Sequence, residues 1–185
     1  MALRQLIVAA ATLAVVALPA YALAQIESTP IPALAKPNFA PVNFMIGTWT
    51  CSTKSARRPA PYVTVSTYSL DPTGYWINET STTNPASWIP AKLTVSDKIT
   101  YDADTKRWVD VLSGDQGAYG LLVSKGWSGN QIVWRDVSFA ASPDIRSQSS
   151  TTTTKVSDSK MVSHSTFTEA KTGRTVSVTS TCTKG

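Results

Sequence analysis

The sequence is poor in the residues from which catalytic centres are most often assembled. Its 185 residues include one histidine, His164, and two cysteines, Cys51 and Cys182. A Ser/His/Asp or Cys/His constellation therefore has a single base to draw on. In a strand, Ser163 and Ser165 point to the face opposite His164, so those neighbours make no catalytic pair with it. No G-x-S-x-G, H-E-x-x-H or phosphate-binding Gly loop occurs. The cysteines lack C-x-x-C spacing and have no nearby histidine, which argues against a metal or redox pair. No catalytic residue, no metal and no cofactor is expected.

Clustered charge is missing too. There are 17 Lys and Arg against 12 Asp and Glu, net +5. The densest basic point is the pair Arg57-Arg58. A nucleic-acid surface needs a basic patch, so no nucleic-acid partner is expected. Beyond the N-terminus no apolar run approaches the roughly 20 residues of a membrane-spanning helix. No segment carries a sustained helical stripe. "NPASWIPA" is the only place where a short helical turn is expected.

The chain begins with a recognisable leader. Met1-Ala2-Leu3-Arg4 carries one positive charge, and Leu6 to Ala20 is almost wholly apolar. Ala22 and Ala24 stand at A-x-A spacing, so cleavage is expected before Gln25; cleavage after Ala22 also fits. Residues 1–24 read as a secretory signal peptide, being short, interrupted by Pro19 and without a stop-transfer flank. No Cys follows to anchor a lipoprotein. The expected location is the periplasm or the extracellular space. Removing 24 residues from 185 leaves 161, enough for one domain with one core. Residues 25–41 hold four prolines and no periodic pattern, which reads as an extended tether. The folded domain is expected over 42–185.

From Phe44 onward short alternating or β-branched runs are cut by turn signals. Ten strands are expected, at about Phe44–Ser55, Tyr62–Leu70, Tyr75–Thr83, Lys92–Tyr101, Arg107–Ser113, Tyr119–Trp127, Gln131–Phe139, Arg146–Val156, Met161–Glu169 and Arg174–Thr183. Turns such as "DPTG" place Pro second and Gly fourth. Ten antiparallel strands with short turns suggest an all-β, up-and-down barrel, since closure removes two exposed edges; an open sandwich is the alternative. The run "RSQSSTTTTK" has no apolar face. Its register is weakly specified, and it either lines a polar part of the interior or forms a flexible rim.

Cys51 lies on the first expected strand and Cys182 on the last. In a closed meander those strands are antiparallel neighbours. Cys51 shares a face with Trp49, and Cys182 with Val176 and Val178. A Cys51–Cys182 disulfide at the seam follows, in a compartment that permits it. Gly47 would allow close approach or a bend where the first strand enters the barrel. Trp49 would plug the barrel bottom, its indole N–H reaching a backbone carbonyl.

"FMIGTWTC" resembles the Gly-x-Trp opening of the calycin superfamily, which includes lipocalins, fatty-acid-binding proteins and nitrobindin-type barrels. The order "FMIGTW", "YDADTKRW" and "SKGWSGNQIVW" is similar, over about Phe44 to Thr183, to a family of bacterial secreted lipocalin-like barrels of unknown function. The resemblance implies a small closed barrel with an interior cavity and no particular ligand. Nitrobindin-type relatives hold haem through a His near the C-terminal end. Here the residues after the Trp are "TCSTKS", and the single His lies on the ninth strand rather than the last. Those departures argue against haem.

Trp49, Trp76, Trp88, Trp108, Trp127 and Trp134 are many aromatics for this length, and aromatics either fill barrels or line apolar pockets. Asp97 sits on the face of Leu93, Val95, Ile99 and Tyr101. Asp110 shares a face with Trp108 and Leu112. If both point inward they form a polar spot, with Arg135 as a candidate third member, either as an ion pair or as groups orienting a ligand. The expected interior set is Trp49, Trp108, Trp134, Tyr101, Asp97, Asp110 and Arg135. Three functional readings follow: a module binding a small hydrophobic or amphipathic molecule, a filled barrel acting through protein contacts, and, resting only on the inward carboxylates, an enzyme. A cavity above about 300 Å³ would favour binding, and convergence of Asp97, Asp110 and Arg135 would favour an enzyme.

Overall fold

β-branched and hydroxyl-rich runs, separated by Gly, Pro and Asp turns, become strands because their stiff side chains suit a pleated surface. The computed structural model describes residues 33–58, 60–87, 89–141, 145–169 and 171–185, without the side chains of 145–149. The leader, residues 25–32 of the expected tether, and Trp88 lie outside the described residues. The compact unit runs from Leu34 to Gly185.

After a 3-10 helix over Ala40–Met45 come β1 (Gly47–Ser55), β2 (Tyr62–Leu70), β3 (Ile77–Thr83), β4 (Leu93–Asp102), β5 (Arg107–Gly114) and β6 (Tyr119–Ser124). They are followed by the two-residue β7 (Trp127–Ser128), then β8 (Gln131–Ala140), β9 (Ile145–Ser157), β10 (Lys160–Glu169) and β11 (Thr175–Lys184). Each strand from β1 to β6 pairs with the next, β1 pairs with β11, and the order continues through β10 and β9 to β8. Pairing of β6 with β8 closes the ring. The result is a closed antiparallel barrel of ten main strands, with β7 a short addition beside β8.

Three boundaries differ from expectation, each for a local reason. The expected strand over Tyr119–Trp127 is broken: Gly126 has φ +97°, and its amide donates to the Ser124 hydroxyl at 3.1 Å, so the chain kinks before β7. The strand expected from Tyr75 starts at Ile77, because the "DPTG" turn extends through an Asp71 amide bonded to the Trp76 carbonyl at 2.8 Å. The helical turn falls at Ala40–Met45, so the strand expected from Phe44 starts at Gly47, while Ala86 and Ile89 make only an isolated bridge. Pro41 near the start of that 3-10 helix suits its fixed φ. Phe39 and Val42, at 8% and 3% exposure, join Ile77, Ile99 and Trp108 in one core cluster. Phe39 is thus packed against the barrel, and Ala40 and Pro41 are exposed residues of the 3-10 helix.

The Gly-x-Trp opening works as the sequence suggested. Gly47 has φ +123°, and a Cβ there would meet the Lys184 side chain at 2.9 Å. Trp49 is fully buried, and its indole Nε1 donates to the Met45 carbonyl at 2.7 Å. Cys51 and Cys182 are register partners across β1 and β11 and form a disulfide. It fastens the two end strands of the domain to each other, with Trp49 and Met161 packed beside it.

In the described part of the polar strand, Thr151 and Thr153 turn to the interior. On β9, Thr151 bonds Ser165 at 2.8 Å and Thr153 bonds Ser163 at 2.9 Å. Across the barrel Thr53 bonds Ser180 at 2.6 Å and Ser66 bonds Ser81 at 2.6 Å. Inward hydroxyls satisfied pairwise in this way replace apolar packing without stranding polar atoms. Register shifts interrupt the β9–β10 ladder at three places, as expected of strands whose pairing hydrophobicity does not pin.

Candidate functional site

Antiparallel register stacks acidic residues from three successive strands on the inner wall. Glu79 on β3 stands opposite Asp97 on β4. Ile99 on β4 stands opposite Asp110 on β5, so Asp97 and Asp110 are diagonal neighbours on one face. Both aspartates expected to point inward do so. Glu79 joins them although its strand, "INETSTT", has no apolar alternation to mark which face is buried. Its only signal is the shared phase with Ile77, which is fully buried.

The three carboxyls occupy different surroundings. Glu79 accepts the Ser81 hydroxyl at 2.6 Å, and the Tyr68 and Ser66 hydroxyls also favour its charged form, yet burial outweighs them and raises its pKa. Burial, reinforced by Glu79 and then Asp110, pushes Asp97 up to about 9. Burial and then Glu79 push Asp110 up to about 8. Tyr68 is raised as well, first by burial and then by Glu79. Removing a carboxylate from water disfavours its charge, and a second charge nearby disfavours it further. Hydroxyl donors oppose the rise at Glu79, whereas Asp97 and Asp110 have no such donors and keep their protons at neutral pH.

A cavity of about 170 Å³ opens beside this cluster. Glu79, Asp110, Tyr68, Thr153 and Ser163 give it polar walls, and Ile77, Ile99, Ile132, Trp108, Trp127 and Trp134 give it apolar ones. Val42 and Met45 of the 3-10 helix form part of its floor, together with Met161 and Cys182. Among the described residues three buried side-chain atoms have no hydrogen-bond partner: Asn78 Oδ1, Asp110 Oδ1 and Trp127 Nε1. The last two belong to residues lining this cavity. A shallower groove of about 320 Å³ lies between residues 35–41 and the β4–β5 turn, lined by Lys36, Asn38, Tyr101 and Trp108 among others.

The other expected site residues divide. Trp108 and Trp134 line the cavity. Asp97 is buried behind the lining, at 8% exposure. Three residues expected in the interior set do not serve there. Trp49 is sealed into the floor by its bond to Met45. Tyr101 packs edge-on against Trp108 at 5.6 Å and faces the outer groove. Arg135 is exposed on β8, because Ile132 and Trp134 take the inward phase there. The residues missed from sequence are Glu79, Tyr68 and Trp127. Gly126 next to Trp127 explains the Gly-Trp pair: a Cβ on Gly126 would come within 3.1 Å of the Trp108 indole nitrogen.

His164 is on the outer face of β10, exposed, with its Nδ1 3.0 Å from the Thr179 hydroxyl. It cannot reach a group bound inside the barrel. Among the described residues no three His, Cys, Asp or Glu side chains are grouped to hold a metal ion, and no helix is long and apolar enough to cross a membrane. No family model matches the chain, and no curated protein matches it. The architecture is consistent with a calycin-like barrel.

Proposed function

We propose that this chain is an exported barrel of the lipocalin-like kind that binds one small amphipathic molecule in its interior, without catalysing its conversion. The observation that carries this is the cavity beside the acidic cluster. Its lining combines three tryptophans with an acceptor, Asp110 Oδ1, and a donor, Trp127 Nε1, that no protein group satisfies. Buried polar atoms are nearly always paired, and a bound molecule supplies the partners. The volume sets the scale. A cavity of about 150 Å³ accepts benzene, so about 170 Å³ suits a compact molecule and not haem or a long acyl chain. The expected ligand is therefore smaller than the drug-sized occupants of 300–1,000 Å³ pockets, roughly speaking. The enzyme reading rests on the inward carboxyls alone; Arg135, whose convergence with them would have favoured it, lies outside.

Export is supported by the leader-like first 24 residues together with the Cys51–Cys182 disulfide. The filled-barrel reading has two observations in its favour: the interior cavity of about 170 Å³ falls below the roughly 300 Å³ of a usual ligand pocket, and paired hydroxyls and two core clusters occupy much of the interior. Native mass spectrometry on protein purified gently from an exporting host separates the two. Binding predicts a stoichiometric added mass of a compact molecule. A clean apo mass that stays clean after incubation with small-molecule extracts would favour the filled barrel.

A further inference from the structure

We infer that the interior site takes a small organic cation, a protonated amine on a compact apolar body, with the ammonium at Asp110 Oδ1 and the body against Trp108, Trp127 and Trp134. The inference deepens the interior-binding reading and rests on it.

Acidic side chains without a basic partner are the first ground. Glu79, Asp97 and Asp110 face inward on three adjacent strands, and among the described residues no Lys, Arg or His lines the cavity. Two lysines are engaged at the barrel floor. Lys155 pairs with Asp158 and lies 4.4 Å over the Phe44 ring. The Lys184 ammonium donates to the Phe44 carbonyl at 2.9 Å and lies over Trp49. Such carboxyls stay protonated in an empty cavity, and a ligand that brings a positive charge lets one of them ionise.

The second ground is independent of the cluster's charge. Asp110 Oδ1 is shut from solvent and accepts no hydrogen bond, although its residue lines the cavity. An ammonium has three donors and no acceptor, which matches that unfilled position. The third ground is the wall. Indole faces attract cations, and Trp108, Trp127 and Trp134 all line this space. A hydrated metal ion gains nothing from such walls. The free Trp127 Nε1–H adds one detail: the favoured body also carries an acceptor, such as a ring nitrogen.

Proton linkage follows from the same arrangement. The titratable groups facing Asp110 are Glu79, Asp97 and Tyr68; Asp136 stands opposite Leu122 in the β6–β8 register, and Lys155 is held at the floor by Asp158. Asp110 keeps its proton at neutral pH when the cavity is empty. A cation that pairs with its carboxylate drives that proton off, so the apparent affinity rises with pH, by about tenfold per unit while one proton is displaced.

The test is calorimetric titration of the disulfide-bonded protein at pH 7.5 with benzylamine, its neutral isostere benzyl alcohol, and 4-(aminomethyl)pyridine. The inference predicts that benzylamine binds, that benzyl alcohol binds at least tenfold more weakly, and that the pyridine analogue binds at least as well as benzylamine. Asp110→Asn should weaken the amines at least tenfold while leaving the circular dichroism spectrum unchanged. Should that variant not fold, the wild-type pH series decides: affinity for benzylamine must rise between pH 6 and 7.5. Equal affinity for the alcohol and the amine, or a flat pH series, would overturn the cation assignment and leave interior binding standing. No binding of any of the three, with a clean apo mass from the exporting host, would overturn both.

Discussion

Replacing Asp97 by Asn should stabilise the barrel, and the gain should grow with pH. Asp97 sits at 8% exposure opposite Glu79 and has no hydrogen-bonded cation to support its charge. Its carboxyl is held up to about 9 and that of Asp110 to about 8, both starting from an ordinary 3.8. Between pH 4 and 8 the folded chain therefore binds protons that the unfolded chain has released. Stability is fully present below the ordinary carboxylate range and is lost as pH rises toward the folded values. Each such group tilts unfolding free energy by about 1.4 kcal/mol per pH unit, so two tilt it by about 2.7. Run from pH 5 to 8, the ideal loss is about 8 kcal/mol, comparable with the whole stability of a domain. Relaxation and water entry reduce such penalties, and a loss of about 2–4 kcal/mol, or about 5–15 °C in Tm, is the expected outcome. The exposed carboxyls Asp71, Asp102 and Asp158 are lowered by their hydrogen bonds, so they act below pH 4 and leave this window untouched. Thermal unfolding followed by tryptophan fluorescence from pH 5 to 8 is the assay. Asp97→Asn should roughly halve the slope and unfold at a higher temperature than wild type at pH 8. A flat or rising wild-type profile, or an unchanged slope in the variant, would refute the reasoning.

Other expectations follow from single contacts. Reducing the Cys51–Cys182 bond frees a loop of sequence separation 131, and the loop-entropy account gives a loss of up to about 5 kcal/mol, read as a lower denaturant midpoint. Gly126→Ala forces a side chain onto φ +97° and against the Trp108 indole, so about 1–3 kcal/mol should be lost by urea unfolding. Trp49→Phe removes the donor to the buried Met45 carbonyl and should cost about 1–3 kcal/mol in the same measurement. Arg135→Ala should leave stability within about 0.5 kcal/mol and should not alter benzylamine affinity, since that side chain lies outside the barrel.

The frame of the fold was legible because several signals agree. Turn tetrads such as "DPTG" carry their own mechanism: the Asp71 carboxylate accepts the Thr73 amide at 2.9 Å, and its carbonyl accepts the Gly74 amide. Two cysteines at opposite ends of a meander have one arrangement in which they meet, and the inward phases of Trp49 and Val178 chose it. The site was legible in part, for a reason of period. Strands β4 and β5 alternate apolar residues, so Asp97 and Asp110 stood out as carboxylates in an apolar phase. Strand β3 has hydroxyls on both faces, and only the shared phase with Ile77 and the pairing to Asp97 show that Glu79 turns inward. On β8, alternation marks Ile132 and Trp134 as inward, and the same rule, followed one residue further, would have placed Arg135 outside. Trp127 was hidden by the kink at Gly126. There a glycine is needed for both its φ and its approach to Trp108, and a continuous strand would have put the ring elsewhere.

The measurement that tests the central claim most directly is the ¹H–¹⁵N spectrum of the tryptophan indoles, with and without benzylamine. Trp127 Nε1–H is buried without a partner on a residue lining the cavity, whereas Trp49 Nε1–H is already bonded to Met45. A ligand in the interior shifts the Trp127 and Trp134 signals and leaves Trp49 in place. Shifts confined to Trp108, which also borders the outer groove, or a spectrum that does not change, would contradict interior binding.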